Sequence, residues 1–549
     1  MSDALDAIRT GYTFSTPAIE LGALVHDGAP VPDVTIRLAL SMLNRHGLVA
    51  GATGTGKTKT LQLMAEQISH AGVPVFAADI KGDLSGLAIP GTPSEKLLAR
   101  TTAIGQQYSP AACPVEFYAL GGEGTGVPLR ATVTSFGPLL LSKVLGLNAT
   151  QESSLALVFH YADQNNLLLL DLKDLGALLK FLTSDEGKTE LADIGGLSKA
   201  TVGVIQRQIT ALAAQGGDAF FGEPEFDTAD LLKVTPDGRG VISLLELPKL
   251  QDRPALFSTF LMWLLADLYS DLPEAGDLDK PKLVFFFDEA HLLFDGASKA
   301  FTDAIEQTVR LIRSKGVGVF FVTQTPKDVP EDVLAQLGSR VQHQLRAHTP
   351  NDAKALRATV ATYPRTDYDL AERLQQLGIG EAIVTVLNPS GAPTPVAWTR
   401  MRAPQASMDP LDAGAMASGV ASSQMQARYG TAIDRESAYE VLNTRLQAGA
   451  AAAAAAAEAA QREKDAQARA KAEADAAREA ARAEKALQAE RARLEREERR
   501  IEREERPRAS ARREKSFFEQ LTENPMVRQM ARTASREITR SIFGTGRRR

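Results

Sequence analysis

The sequence predicts an α/β fold whose core is a mainly parallel sheet. The segment NRHGLVAGATGTGKT passes from a short apolar run through a glycine-rich loop into the helical repeat KTLQLMAEQISHAG, and PVFAADI follows as a second run. Strand, loop, helix, strand is the opening unit of such a sheet. Runs of the same kind return at GVISLLEL, KLVFFFDE, GVGVFFVTQT, VQHQLRAH and EAIVTVL. They are apolar almost throughout rather than alternating, the pattern of strands covered on both faces.

These elements divide the chain. Residues 1–45 read as a short β-rich lead-in, with IELGALV and VTIRLAL as small strands, and 46–139 as the first part of the core. Residues 140–281 show helical periodicity, as in SLALVFHYADQNNLLLLDLKDLGALLKFL, with GVISLLEL interposed, and are expected to form a helical insertion. Residues 282–402 complete the core, and 403–446, poor in large apolar residues, read as a linker.

From 447 to 506 the chain runs through an alanine tract into Ala, Glu, Arg and Lys, strong helix formers with pairs such as Glu495/Arg499 and Glu502/Arg506. A long charged helix is expected there. Leu487, Leu494 and Ile501 recur every seventh residue, but the second row a coiled coil needs carries Arg or Glu. Both a solvated spacer and a partner-binding seam stay open. Residues 507–549 read as a basic tail, open to nucleic acid, an acidic membrane surface, the body of the assembly or solvent.

Composition narrows the class. The 549 residues are 44% apolar and 24% charged, ordinary for a globular protein. No apolar run approaches the roughly 20 residues that span a bilayer, and the N-terminus lacks a secretory pattern, so a cytoplasmic location is expected. Cys113 is the single cysteine and the seven histidines are scattered, which excludes an intrachain disulfide and argues against a protein-ligated transition metal. A net charge of −6 excludes a simple basic coat for nucleic acid, so any DNA contact must be local.

Gly51, Ala52, Thr53, Gly54, Thr55, Gly56, Lys57 and Thr58 fulfil the P-loop pattern between a strand and a helix. Glycines let backbone N–H groups wrap phosphates, Lys57 can reach the β and γ phosphates, and the Thr58 hydroxyl can face Mg²⁺. The run ending at Phe287 delivers Asp288 and Glu289 to a strand end, Asp288 for Mg²⁺ and Glu289 as the base that polarises water. An adjacent acid pair suits hydrolysis of ATP better than transfer to a second substrate.

Thr323 and Gln324 end another strand, where an amide can sense the γ-phosphate or orient water. Asp79, Lys81, Gly82 and Asp83 reach the same kind of edge, as site residues or as turn formers. Transition-state charge calls for an arginine. Arg45, before the P-loop strand, and Arg313, before the Gln324 strand, are the candidates, with a solvated surface role as the alternative for each.

NRHGLVAGATGTGKT, DIKGDLSG, FFFDEAH and FFVTQTPKDVPEDVLAQLGSR together resemble the HerA-like branch of the FtsK-HerA ATPases over roughly residues 18–402. The resemblance implies a RecA-like P-loop NTPase core, a hexameric homo-oligomeric ring with ATP at subunit boundaries, and DNA as the translocated polymer. It makes Arg45 the trans-acting arginine and Arg313 the second arginine of the site. Full HerA proteins carry an N-terminal β-barrel that engages a nuclease; the lead-in here is short, so no nuclease partner is carried over. Type IV secretion motors share the core, which leaves a protein-handling ATPase, with the long helix as an adaptor arm, as the second reading.

Overall fold

The computed structural model describes residues 2–191, 195–250, 253–276, 278–294 and 299–504. The basic tail, and with it the Glu502/Arg506 pair, lies outside the described residues. The chain forms two compact units, residues 1–451 and 452–549.

The first unit is organised by a twelve-stranded sheet. Its strands are β1 (Ala18–His26), β2 (Ala29–Ala39), β3 (Gly47–Ala50), β4 (Val75–Asp79), β5 (Val115–Leu120), β6 (Val127–Leu129), β7 (Ile242–Glu246), β8 (Leu283–Phe287), β9 (Val317–Thr323), β10 (Ser339–Gln342), β11 (Glu381–Thr385) and β12 (Ala397–Met401). Their order is β2-β1-β12-β11-β10-β3-β9-β8-β4-β7-β5-β6. From β10 to β6 every pairing is parallel, and from β10 outward to β2 every pairing is antiparallel.

The apolar runs are continuous because both faces of the central strands are covered. Leu283, Phe285 and Phe287 of β8 point into one core, with Leu48, Phe76 and Phe321, while Val284 and Phe286 point into the other, with Val49, Val75 and Val322. The first core is filled from above by helical residues such as Leu178, Phe260 and Trp263, the second by Leu61, Met64 and Ile68 of the helix Lys57–His70. Successive residues of a strand face opposite ways, so each supplies both layers.

Residues 140–281 are mostly helical, yet they also supply β7, which pairs with β4 on one side and β5 on the other. The strands of the first 45 residues likewise belong to the main sheet, through three β1–β12 register pairs beginning at Gly22↔Met401. Residues 403–446 are built into the same unit where their composition suggests a linker. The Glu66 carboxylate accepts from the N–H groups of Gln405 and Ala406, both at 2.8 Å, and Tyr429 is 1% exposed. Backbone hydrogen bonds to Glu66 hold its start, which leaves no mark on composition, while the few large side chains Met425, Tyr429 and Leu442 pack into the core.

The charged helix runs from Ala438 to Glu504, 67 residues or about 100 Å. Its start is anchored by Asp174, which caps the helix Leu172–Leu182 in a reciprocal box with Asp171 and also accepts from the Ser437 hydroxyl and, at 2.8 Å, from Tyr439 N–H. Farther along, within the second unit, the helix is solvent-exposed, with Leu487, Leu494 and Ile501 each more than half exposed. Among the described residues, no helix is long and apolar enough to cross a membrane.

The aromatic packing yields a stability prediction. Phe260 is fully buried, with ring centroids 6.3 Å from Phe76 and 6.0 Å from both Phe220 and Trp263. Phe260→Ala is expected to cost about 3–5 kcal/mol in equilibrium denaturant unfolding.

Candidate functional site

β3 carries the chain to the C-terminal edge of the sheet, where residues 51–56 wrap back into the helix Lys57–His70. The loop turns through left-handed backbone at its last glycine, Gly56, φ 111°. A Cβ on Gly51 would lie 2.5 Å from the Cβ of His343, so the start of the cradle admits no side chain. The Lys57 amine, 6% exposed, donates to the carbonyls of Gly51 at 2.6 Å and Ala52 at 3.2 Å. Burial pulls its pKa below the ordinary lysine value, against the attraction of Glu289 and Asp288. Thr58 is the second residue of the helix and is partly exposed at the cradle.

β8 ends at Phe287 and places Asp288 and Glu289 at the same edge. Glu289 has φ 47°, a left-handed conformation that costs an L-residue about 1–2 kcal/mol and turns the chain sharply at this carboxylate. Its Oε1 pairs with the Lys81 amine; its Oε2 lies 3.2 Å from His291 Nδ1 and 3.5 Å from Gln324 Nε2. Burial works to raise the Glu289 carboxyl, but Lys81, then His291 and Gln324, bring it below the usual carboxylate range. The Asp288 carboxyl is pushed up to about 7, first by burial and then by the adjacent charge of Glu289.

Cradle and acid pair hang on one strand. The Thr323 carbonyl at the end of β9 accepts from Gly51 N–H at 3.2 Å, and the Val322 carbonyl accepts from Ala290 N–H at 2.9 Å. With β9 lying directly between β3 and β8, the two loops sit about 10 Å apart. The residues fit a magnesium-bound triphosphate. Asp288 Oδ2 is buried with no hydrogen-bond partner among the described residues, beside a glycine cradle, a lysine and a threonine hydroxyl. A divalent cation would offset the cost of that orphaned, like-charged acid.

Other expected site residues divide. Gln324 is exposed and reaches Glu289, whereas the Thr323 hydroxyl is fully buried and donates to Asp328 at 2.8 Å. Thr323 therefore braces the strand end instead of facing a ligand. Asp79 is also a brace: its carboxylate accepts from the N–H groups of Gly82 at 2.7 Å, Asp83 at 3.2 Å and Leu84 at 2.7 Å. That three-point turn projects Lys81 onto Glu289. Asp83 is half-buried and does not touch the acid pair; it lies beside Glu246 of β7, whose carboxyl is driven up to about 8 by burial, then by Asp79 and Asp83.

Arg45 and Arg313 lie at the other end of the strands. Arg45 precedes β3 and Arg313 precedes β9, so both sit at the N-terminal edge, at least about 13 Å of strand from their own cradle. Both approach His46, whose Nδ1 accepts from Val319 N–H at 3.0 Å and whose pKa is pushed to about 4, mainly by burial. Neither arginine can serve the cradle of its own chain.

Three residues at the site escaped the sequence reading. His291 flanks Glu289, His343 joins the cradle helix to β11 through Thr60 Oγ1 at 2.9 Å and the Glu381 carbonyl at 2.8 Å, and Arg346 reaches the Thr53 carbonyl at 3.4 Å. His291 had a signal, its position two residues after Glu289. His343 and Arg346 had none, because their relation to the cradle depends on β10 pairing with β3 across nearly 300 residues.

The profile of the family described as Helicase HerA-like C-terminal matches residues 26–549. The chain belongs to that family. Among curated relatives, the DNA double-strand break repair helicase HerA of Sulfolobus acidocaldarius is 22% identical over 380 residues, 68% of this chain and 67% of that protein. Its counterpart from Sulfurisphaera tokodaii is 24% identical over 378 residues, with the same coverage of both chains. Among solved structures, the plasmid coupling protein TrwB in complex with ADP and Mg²⁺ aligns over 72% of this chain and 98% of its own, at 14% identity and TM-score 0.45. VirB4 of Thermoanaerobacter pseudethanolicus aligns with the same coverage and identity at TM-score 0.46.

The buried acid next to this HerA-like site makes stability depend on pH. Glu246 titrates near 8 when folded and near 4.5 when unfolded, so the folded state retains a proton that the unfolded chain releases. Its contribution is unpenalised below about pH 4.5, falls as pH rises, and reaches its full cost above about 8, on the order of a few kcal/mol. Glu246→Gln is expected to melt like the parent near pH 4.5 and several degrees higher near pH 8.5, measured by thermal denaturation.

Proposed function

We propose that the protein is a magnesium-dependent ATPase motor that works as a ring, hexameric by family resemblance, and translocates DNA. The observation that carries the reading is the joint suspension of the glycine cradle and the acid pair from the end of β9. Residues 51–58 bind the triphosphate, with the Lys57 amine turned to the β and γ phosphates. Thr58 and Asp288 would hold Mg²⁺, which when bound draws negative charge off the phosphates.

Glu289 acts as general base toward the attacking water, and Gln324, within reach of the same carboxylate, orients that water. Lys81 and His291 hold Glu289 ionised in a buried place. Arg45 and Arg313 complete a neighbouring subunit's site, where they neutralise transition-state charge. DNA enters from the relatives, which are named as DNA double-strand break repair helicases. A cytoplasmic setting accords with the chemistry, and no nuclease partner is assigned.

A second reading rests on the exposed row of Leu487, Leu494 and Ile501 in the long helix. It makes the engine a protein-handling ATPase whose helix docks a partner protein. Turnover with single- and double-stranded DNA over a salt series separates the two. A DNA translocase is expected to hydrolyse ATP faster with DNA, with the stimulation fading steeply as salt rises; turnover indifferent to DNA would leave the second reading.

Lys57→Ala is expected to abolish nucleotide binding. Glu289→Gln is expected to bind ATP normally and lower kcat at least about a hundredfold, the scale of general-base loss. Filter binding and phosphate release check the pair, and normal turnover in either variant would refute the assignment.

A further inference from the structure

One exposed apolar residue lies where the cradle meets its outer neighbours. Ile379 is 76% exposed, the most exposed of the large apolar side chains among the described residues. It occupies the tip of the turn Gly378-Ile379-Gly380-Glu381, which is closed by Glu381 N–H donating to the Gly378 carbonyl at 3.0 Å and by left-handed Gly380, φ 72°. The turn abuts the cradle. Gly380 N–H donates to the Thr55 carbonyl at 2.9 Å, and a Cβ on Gly56 would lie 3.2 Å from the Gly380 Cα.

The turn is held rigidly for a surface feature. The Arg100 guanidinium donates to the carbonyls of Ile379 at 3.4 Å and Gly380 at 2.7 Å. The Glu381 carboxylate accepts from Gly378 N–H at 3.1 Å, Trp398 Nε1 at 3.1 Å and Arg400 at 2.8 Å. A tip fixed in this way pays little ordering entropy when a ligand covers it, and exposing a branched apolar side chain there gains nothing for folding.

Direction settles what can cover it. The acid pair is on β8, on one side of β3, and the turn opens β11, on the other side beyond β10. A triphosphate whose γ end pointed to Glu289 would extend its nucleoside end the opposite way, over Gly56 and toward Ile379. We propose that the Gly378–Glu381 turn is the floor for the nucleobase, with Ile379 as its contact residue; this rests on the nucleotide reading above.

The floor also has a specificity. Arg100 donates to both carbonyls at the tip and Met401 N–H takes the second position on that of Gly380, so the turn presents apolar surface to a ring face and few acceptors to a base edge. Purine nucleoside triphosphates are therefore accepted alike, and ATP and GTP differ in affinity by only a few-fold.

The test is calorimetric titration of the full chain with Mg²⁺ and ATP, GTP or inorganic tripolyphosphate, which carries the phosphates without a base. Ile379→Ser is expected to weaken ATP and GTP about tenfold, the scale of one buried aliphatic side chain, and to leave tripolyphosphate unchanged. Ile379→Leu is expected to keep wild-type affinity for all three. Unaltered ATP affinity in Ile379→Ser, or equal weakening toward tripolyphosphate, would overturn the floor. Wild-type protein that binds neither ATP nor tripolyphosphate would remove the phosphate cradle itself, a different failure.

Discussion

Two backbone carbonyls, those of Val322 and Thr323, hold the site together. One takes the N–H that follows the acid pair, the other takes the first N–H of the glycine loop. Because β9 is buried on both faces and paired on both sides, its end cannot shift without disturbing both cores. Loops more than 230 residues apart in sequence are thereby fixed in one geometry, and the side chains they carry inherit it. Preorganisation of this kind is what electrostatic catalysis requires, since groups that must move into place lose part of their advantage.

The acidic edge beside that anchor is managed by different means at each strand. Asp79 satisfies its buried charge with three backbone N–H groups, Glu289 with Lys81, and Glu246 retains its proton. Among the described residues, Asp288 Oδ2, like Glu246 Oε1, is buried without a hydrogen-bond partner. Four carboxylates on neighbouring strand ends are tolerable only because they are not equally ionised.

The central strands and the cradle were legible because each is encoded locally: an apolar run, a glycine spacing, a carboxylate pair at a strand end. Asp79 and Thr323 were ambiguous for the same reason, since a polar residue at a strand end looks alike whether it faces a ligand or ties a turn. Their bonds to Leu84 and Asp328 decide for the turn. His343, Arg346 and Ile379 were invisible, because they matter only through β10 and β11 folding back beside β3. Residues 403–446 were misleading in composition; Glu66 binds their backbone, and main-chain hydrogen bonding leaves no mark on side-chain statistics.

The separation of Arg45 and Arg313 from their own cradle carries a rule of symmetry. Cradle and arginines occupy opposite edges of one sheet, so a copy that lent its arginines to another's cradle would do so with the edge remote from its own. Arranged head to tail, each copy would lend at one edge and receive at the other, and such a series either closes on itself or continues as a filament. In a closed circle every copy is at once donor and recipient, with as many complete sites as there are chains; an open series always leaves one cradle unserved at its end.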